Sequence, residues 1–312
     1  MLRWNSSNEG DFRPTDDSGQ LTEGEPLRWL SFVASRVFAM DDPELDPKIL
    51  EYYAERTDED ARIRTGAAEI ELIRTREVIR RHLPDGPLSV LDVGGGGGVH
   101  AEWLLADGLT VHLIDPVPRL VEQATKRLGS YGQFSAAAGD GRSIEFDDDS
   151  FDVVLLLGPL YHLPAREDRI RVWAEAGRVV RPGGLVFGAV ISRFASLFSG
   201  LSGEMLFDDE FRAIVGQDLS DGHHRNSQRR SGWFTTAYLH RPDEVAEEAE
   251  EVGLRVRELV GVEGLAAWLP ETERNWSDPK RREIIIESAR LIESEPSLLG
   301  LGPHLLLVCE RP

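Results

Sequence analysis

The 312-residue sequence has a single cysteine, Cys309, which excludes an internal disulfide and any zinc site built on cysteines. Lysine is nearly absent: Lys48, Lys126 and Lys280 are the only three among 35 basic residues. That arginine bias fits either GC-rich coding or a demand for planar hydrogen bonding. No apolar run approaches the ~20 residues of a membrane-spanning helix, and the opening MLRWNSSNEGDF has no apolar signal core. The expected location is therefore the reducing cytoplasm, with no membrane partner. Positive charge is also scarce, since 55 acidic residues against 35 basic ones give a formal net charge of −20. Phosphate backbones are held by basic surfaces, so nucleic acid is disfavoured as the main partner. The local Arg225, Arg229, Arg230 group reads as a solvated loop.

What is present is an ordinary hydrophobic content of 41% and enough chain for one large domain with insertions. Residues 1–25 are polar and acidic, and are expected to be disordered or loosely ordered. Residues 26–84 are expected to form a helical cap. Its parts are an apolar segment at 27–38, a helix that Pro47 opens towards Tyr53, and a longer helix at about 59–83. Ile63, Ile70, Ile73 and Ile79 recur along that longer helix at helical spacing. Residues 85–312 hold the core, with insertions at 192–240 and 263–303 of the kind that form lids or substrate pockets.

The core is arranged around residues 87–98, PLSVLDVGGGGG. Val90, Leu91 and Val93 read as a buried strand, Asp92 is a carboxylate within it, and five glycines lead into a helix opening at Val99. Strand, glycine turn and helix together bring backbone and a helix N-terminus against a nucleotide-like ligand. Further apolar strands are expected at 110–114, 133–138, 151–157, 185–191, 254–260 and 304–309. Asp115, Gly139-Asp140-Gly141 and Gly158-Pro159 end the first three of these. The alternation predicts an α/β fold: a mostly parallel seven-stranded sheet, helices on both faces, and a ligand at the carboxyl ends of the strands.

The glycine registers discriminate between ligands. A dinucleotide fingerprint wants a small residue five positions after its first glycine. From Gly94 that place holds Val99 and from Gly95 it holds His100; only Gly96-Gly98-Ala101 passes, in the weaker alanine form. The stretch instead resembles the first motif of the class I, Rossmann-like S-adenosylmethionine-dependent methyltransferases, here Asp92, Gly94, Gly96 and Gly98. The resemblance covers roughly residues 60–190. Asp115, 23 positions after Asp92, matches the acidic residue that binds both ribose hydroxyls in that family. Asp140 and Gly141 match its adenine-binding loop, and FDVVLLLGPLYHL, with Gly158, matches its fourth strand.

The resemblance implies S-adenosylmethionine as cofactor and methyl transfer to a small-molecule oxygen, nitrogen or carbon acceptor, secondary metabolites included. Charge favours a small molecule over tRNA, and an enclosing lid favours it over protein. A monomer or homodimer is expected. Tyr161 and His162 lie where the transferred methyl should point, with His162 as a candidate general base. Arg74 is expected to clamp the cofactor carboxylate by a bidentate pair. Tyr53, Phe194, His223 and Trp233 are expected to line the acceptor pocket. No metal site is expected, because His223-His224 has no evident carboxylate or cysteine partner. Two rivals stay open: a non-catalytic S-adenosylmethionine-binding protein, and a nicotinamide-dependent oxidoreductase, which the registers and the lack of a Tyr-x-x-x-Lys pair disfavour.

Overall fold

Continuous apolar runs build a sheet whose central strands are buried on both faces. A computed structural model describes residues 47–52, 59–227, 230, 232–269 and 271–312. Its strands are β1 (Ser89–Val93), β2 (Thr110–Asp115), β3 (Phe134–Ala138), β4 (Phe151–Leu156), β5 (Val180–Ser192), β6 (His223–His224), β7 (Ala237–His240), β8 (Arg255–Gly261) and β9 (His304–Glu310). The expected seven pair in the order β3-β2-β1-β4-β5-β9-β8, parallel except for β9, which runs antiparallel to both β5 and β8. Strand order reverses between β1 and β4, which opens a crevice at their carboxyl ends.

Side-chain alternation splits the core in two. Val90, Val111, Leu113 and Val153 pack against helices Glu69–His82, Val99–Ala106 and Pro118–Leu128 on one face. Leu91, Val93, Val154 and Leu156 pack against Arg166–Val179 and Pro242–Glu251 on the other. These are the successive, oppositely directed residues of fully buried strands.

Two expectations change. The sheet has nine strands rather than seven, because the 192–240 insertion contributes the antiparallel pair β6–β7. Gly222, at φ +80°, ends helix Asp209–Asp221 and turns the chain straight into β6. β7 then pairs parallel with β5 through Ile191↔Leu239 and Ser192↔His240. At that level β9 already occupies one edge of β5. β7 therefore lies on the β4 edge, beyond the last β4 pairing at Leu156↔Gly188. The insertion is thus stitched into the sheet directly above the end of β4.

The helix expected at 59–83 is also broken, into Glu59–Ile63, a 3-10 turn Gly66–Ala68 and Glu69–His82. Gly66 takes φ +61°, and the Glu273 carboxylate fills the space a side chain there would need. The Ala67 amide donates to that carboxylate. A short helix Pro47–Glu51 precedes these. The expectations for residues 1–25, for the segment 27–38 and for Tyr53 lie outside the described residues. Among the described residues no helix is long and apolar enough to cross a membrane.

Candidate active site

The glycine loop, the ends of β2 and β3 and the turn after β4 enclose a cavity of about 160 Å³. Asp92, Gly94, Gly96, Asp115, Asp140, Gly141, Gly158, Tyr161 and His162 all line it, as the strand-end argument expects. Gly98 stands one residue behind the wall. It precedes the helix at φ +85°, and a side chain there would meet Leu128.

The loop is fixed by its surroundings. The amides of Gly94 and Gly95 both donate to the Ile114 carbonyl. Asp115 Oδ2 accepts from the Gly96 amide at 2.9 Å, and Oδ1 from the Val117 amide at 2.8 Å. One buried carboxylate thereby sets the spacing between the glycine loop and the end of β2. Burial raises the Asp115 pKa, and the two amide bonds pull it back. Close approach explains more of the glycines: a Cβ on Gly95 would lie 2.7 Å from Asp92 Oδ2, and one on Gly141 2.9 Å from Val93. Asp140 is turned into the wall by Arg142, whose backbone and guanidinium both donate to it.

The charge of this cavity is one-sided. Its carboxylate and imidazole lining is Glu71, Asp92, Asp115, Asp140, His100 and His162, and no arginine or lysine among the described residues lines it. Burial pushes both histidines down to about 4, so they are neutral at physiological pH. Such a wall suits a ligand with cationic groups and vicinal hydroxyls better than one with phosphates.

Arg74 is not part of it. Its guanidinium is buried and held by Glu77 and Glu293, with a third contact to the Val262 carbonyl at 3.4 Å. An arginine already neutralised on that side of its helix cannot clamp a ligand carboxylate. Glu71, one turn earlier on the same helix, faces the cavity instead. His162 also departs from the general base expected of it. It sits on the 3-10 turn Leu160–His162, buried, in tilted ring contact with Tyr161 at 4.5 Å and Phe234 at 5.8 Å, and hydrogen-bonded to the Thr236 backbone. A neutral imidazole with so low a pKa is a poor proton acceptor at pH 7.

A second, larger cavity of about 1040 Å³ is walled by the two insertions and the helical segment before β1. Trp233 lines it, with Tyr52, Phe211, Phe234 and Trp268, and Glu71 belongs to both cavities. Phe194 does not line it, because its ring wedges against Gly300, 3.0 Å from where a Cβ would stand. Nor does His223, whose ring turns towards Asp221 and Tyr238. Neighbouring residues of an extended strand point apart, and it is His224 that faces the cavity.

The sequence offers His223-His224 as a further candidate pair beside His162 but shows neither the partner of His224 nor a second grouping in this wall. His224 Nδ1 is 2.8 Å from Asp218 Oδ2, a contact made only because Gly222 folds β6 back along its helix. Glu71, Glu263 and His304 bring potential metal-ligating atoms within 4.8 Å of one another. There Glu263 accepts from the His304 backbone and ring, and Arg62 donates to Glu71 at 2.7 Å, so the charges compensate within the cluster. Burial opposes the imidazolium of His304, but the Glu71 and Glu263 carboxylates outweigh it and raise its pKa to about 9. A pKa raised in the folded state stabilises the protein below the unfolded value and fades above the folded one. The stability advantage of wild type over His304→Gln is therefore expected to be full below pH 6.5 and lost as pH rises through about 9. Denaturant melts at a series of pH values check this, and an advantage that grows with pH would contradict it.

A family profile described as a methyltransferase domain matches residues 91–188. The chain is similar to a ubiquinone biosynthesis O-methyltransferase of Thiobacillus denitrificans, 32% identical over 200 residues, covering 62% of this chain and 75% of that protein. It is also similar to the methyltransferase GfsG of Streptomyces halstedii, 37% identical over 151 residues, covering 42% and 52%. Among solved structures, a putative methyltransferase of Haloferax volcanii in complex with the Trm112 activator superposes with a TM-score of 0.54 at 19% identity, covering 88% of this chain and all of that one. An S-adenosylmethionine-dependent methyltransferase of Mesorhizobium loti gives 0.53 at 15%, covering 78% and 100%. At such identities the two structures speak for the fold alone.

Proposed function

The chain belongs to the class I S-adenosylmethionine-dependent methyltransferases, and on that premise we propose that it methylates a small, largely aromatic or apolar molecule held in the larger cavity. One observation carries the reading. A 1040 Å³ chamber with aromatic walls adjoins the glycine-loop cavity and shares Glu71 with it. The net charge of −20 speaks further against a nucleic-acid acceptor.

The residues fit S-adenosylmethionine. Asp115 keeps acceptor capacity on both oxygens beyond its two amide bonds, enough for a pair of vicinal hydroxyls. Gly96, at φ +56° with open space where a Cβ would stand, lets the cofactor approach the loop backbone without meeting a side chain. Asp92, 1% exposed, and Glu71 supply negative charge towards ammonium and sulfonium groups. Asp140, already engaged by Arg142 through both oxygens, is the acceptor that the family resemblance assigns to the adenine amino group. When bound, the cofactor supplies an electrophilic methyl carbon. The chain supplies alignment and exclusion of water, with Tyr161, His162 and Phe234 bounding the point of transfer.

Calorimetry with S-adenosylmethionine, its demethylated product and NAD tests the donor half. Binding of the first two without NAD is expected, and tight NAD binding alone would sink the reading. An acceptor-library screen for the mass gain of one methyl group tests the other half. A complete absence of products would favour a binding protein without turnover.

A further inference from the structure

We propose that the Asp218–His224 pair is the proton acceptor for the methylated group, and that the acceptor is therefore a hydroxyl compound of the phenol or enol class. The inference rests on the reading above and names the chemistry of its receiving side.

Three observations place the pair. His224 lines the larger cavity while only 4% exposed, so its ring is fixed in the wall. Asp218, fully buried behind it, accepts from Nδ1 at 2.8 Å. That bond selects the tautomer with the proton on Nδ1 and leaves the Nε2 lone pair free to accept. Nε2 itself is buried without a hydrogen-bond partner. An orphaned buried acceptor costs about 1–3 kcal/mol, and a donor carried by a ligand in the cavity removes that cost. A hydroxyl group is such a donor.

The other histidines of the two cavities are less suited. His162 and His100 are held neutral by burial down to about 4, and His304 is held protonated between two carboxylates. The Phe234 ring lies 5.8 Å from His162 and 6.3 Å from His224, so the same aromatic wall borders the transfer point and the base. In the proposed step the proton passes from the acceptor hydroxyl to Nε2 while the oxygen bonds to the methyl carbon. The broken carbon–sulfur bond leaves its electron pair on sulfur as a neutral thioether, and the positive charge ends on the imidazole, where Asp218 stabilises it. His224 is then a catalytic residue and Asp218 a positioning residue.

The test needs no turnover. Full-length protein saturated with S-adenosylhomocysteine is titrated with 4-nitrophenol, whose neutral and anionic forms absorb differently. Wild type is expected to show at least tenfold more bound phenolate than free solution at a pH below the probe's own ionisation. His224→Asn should abolish that excess while holding S-adenosylhomocysteine affinity within about twofold, and Asp218→Asn should reduce it. If His224→Asn does not fold, the Asp218→Asn reading decides alone. Equal phenolate in wild type and variant overturns the base. No phenol binding by a protein that binds S-adenosylhomocysteine overturns the hydroxyl class. Failure of wild type to bind S-adenosylhomocysteine would instead count against the methyltransferase site itself.

Discussion

Replacing Asp115 with alanine is expected to weaken S-adenosylmethionine binding by about a hundredfold or more. Each hydrogen bond from a ligand hydroxyl to an ionised carboxylate contributes roughly 1.5–3 kcal/mol, and two of them amount to roughly two to four powers of ten in affinity. The substitution does further damage, because the amides of Gly96 and Val117 lose their acceptor and the loop loses its tie to β2. Asp115→Asn keeps a neutral acceptor in place and should fall between the two. Calorimetry on the purified variants reads the effect directly. A loss under about tenfold for the alanine variant would remove Asp115 from the binding site.

Removing Glu248 should cost the fold about 3–5 kcal/mol, the range for stranding one member of a buried ion pair. Arg169 and Glu248 are 1% and 2% exposed and meet at 2.8 Å. Arg169 also donates to the carbonyls of Leu163 and Pro164 and lies 3.7 Å over the Tyr238 ring, while His240 reaches Glu248 at 3.4 Å. One pair thus ties two helices, strand β7 and the turn that carries His162. Glu248→Ala leaves a guanidinium buried with no counter-charge. The double variant Arg169→Leu, Glu248→Leu removes both charges and should recover more than half of the loss, because a buried pair replaced by apolar residues is often near neutral. Urea denaturation of the two variants distinguishes the outcomes. A single variant within 1 kcal/mol of wild type would show that water reaches the pair.

The donor half of the site was legible because its signals are local. Strands β1, β2 and β4 are short apolar runs, and Asp92, Asp115 and Asp140 announce themselves as carboxylates at or near strand ends. Even there the count of glycines was opaque, since the need for Gly95 arises from Asp92 and Leu113 folded against it. Arg74 misled because the carboxylate that satisfies it, Glu293, is 219 positions away. The receiving half was hidden for a similar reason. A two-residue strand at His223–His224 carries no periodicity, and only a glycine at positive φ brings Asp218 beside His224. The choice between His223 and His224 turned on one residue of strand phase.

The pairing of β5 with β7 has a bearing on how such an enzyme changes its chemistry over time. Ser192 and His240 are ladder partners, and the Arg193 amide donates to the His240 carbonyl at 2.7 Å, so the insertion leaves and re-enters the sheet at one point. Its ends are already closed. Each doubling of the length between them costs only about 0.6 kcal/mol of closure entropy. The segment is therefore a cassette: new walls, new bases and new acceptors can be exchanged between those two anchors while the donor machinery on β1, β2 and β4 stays in register.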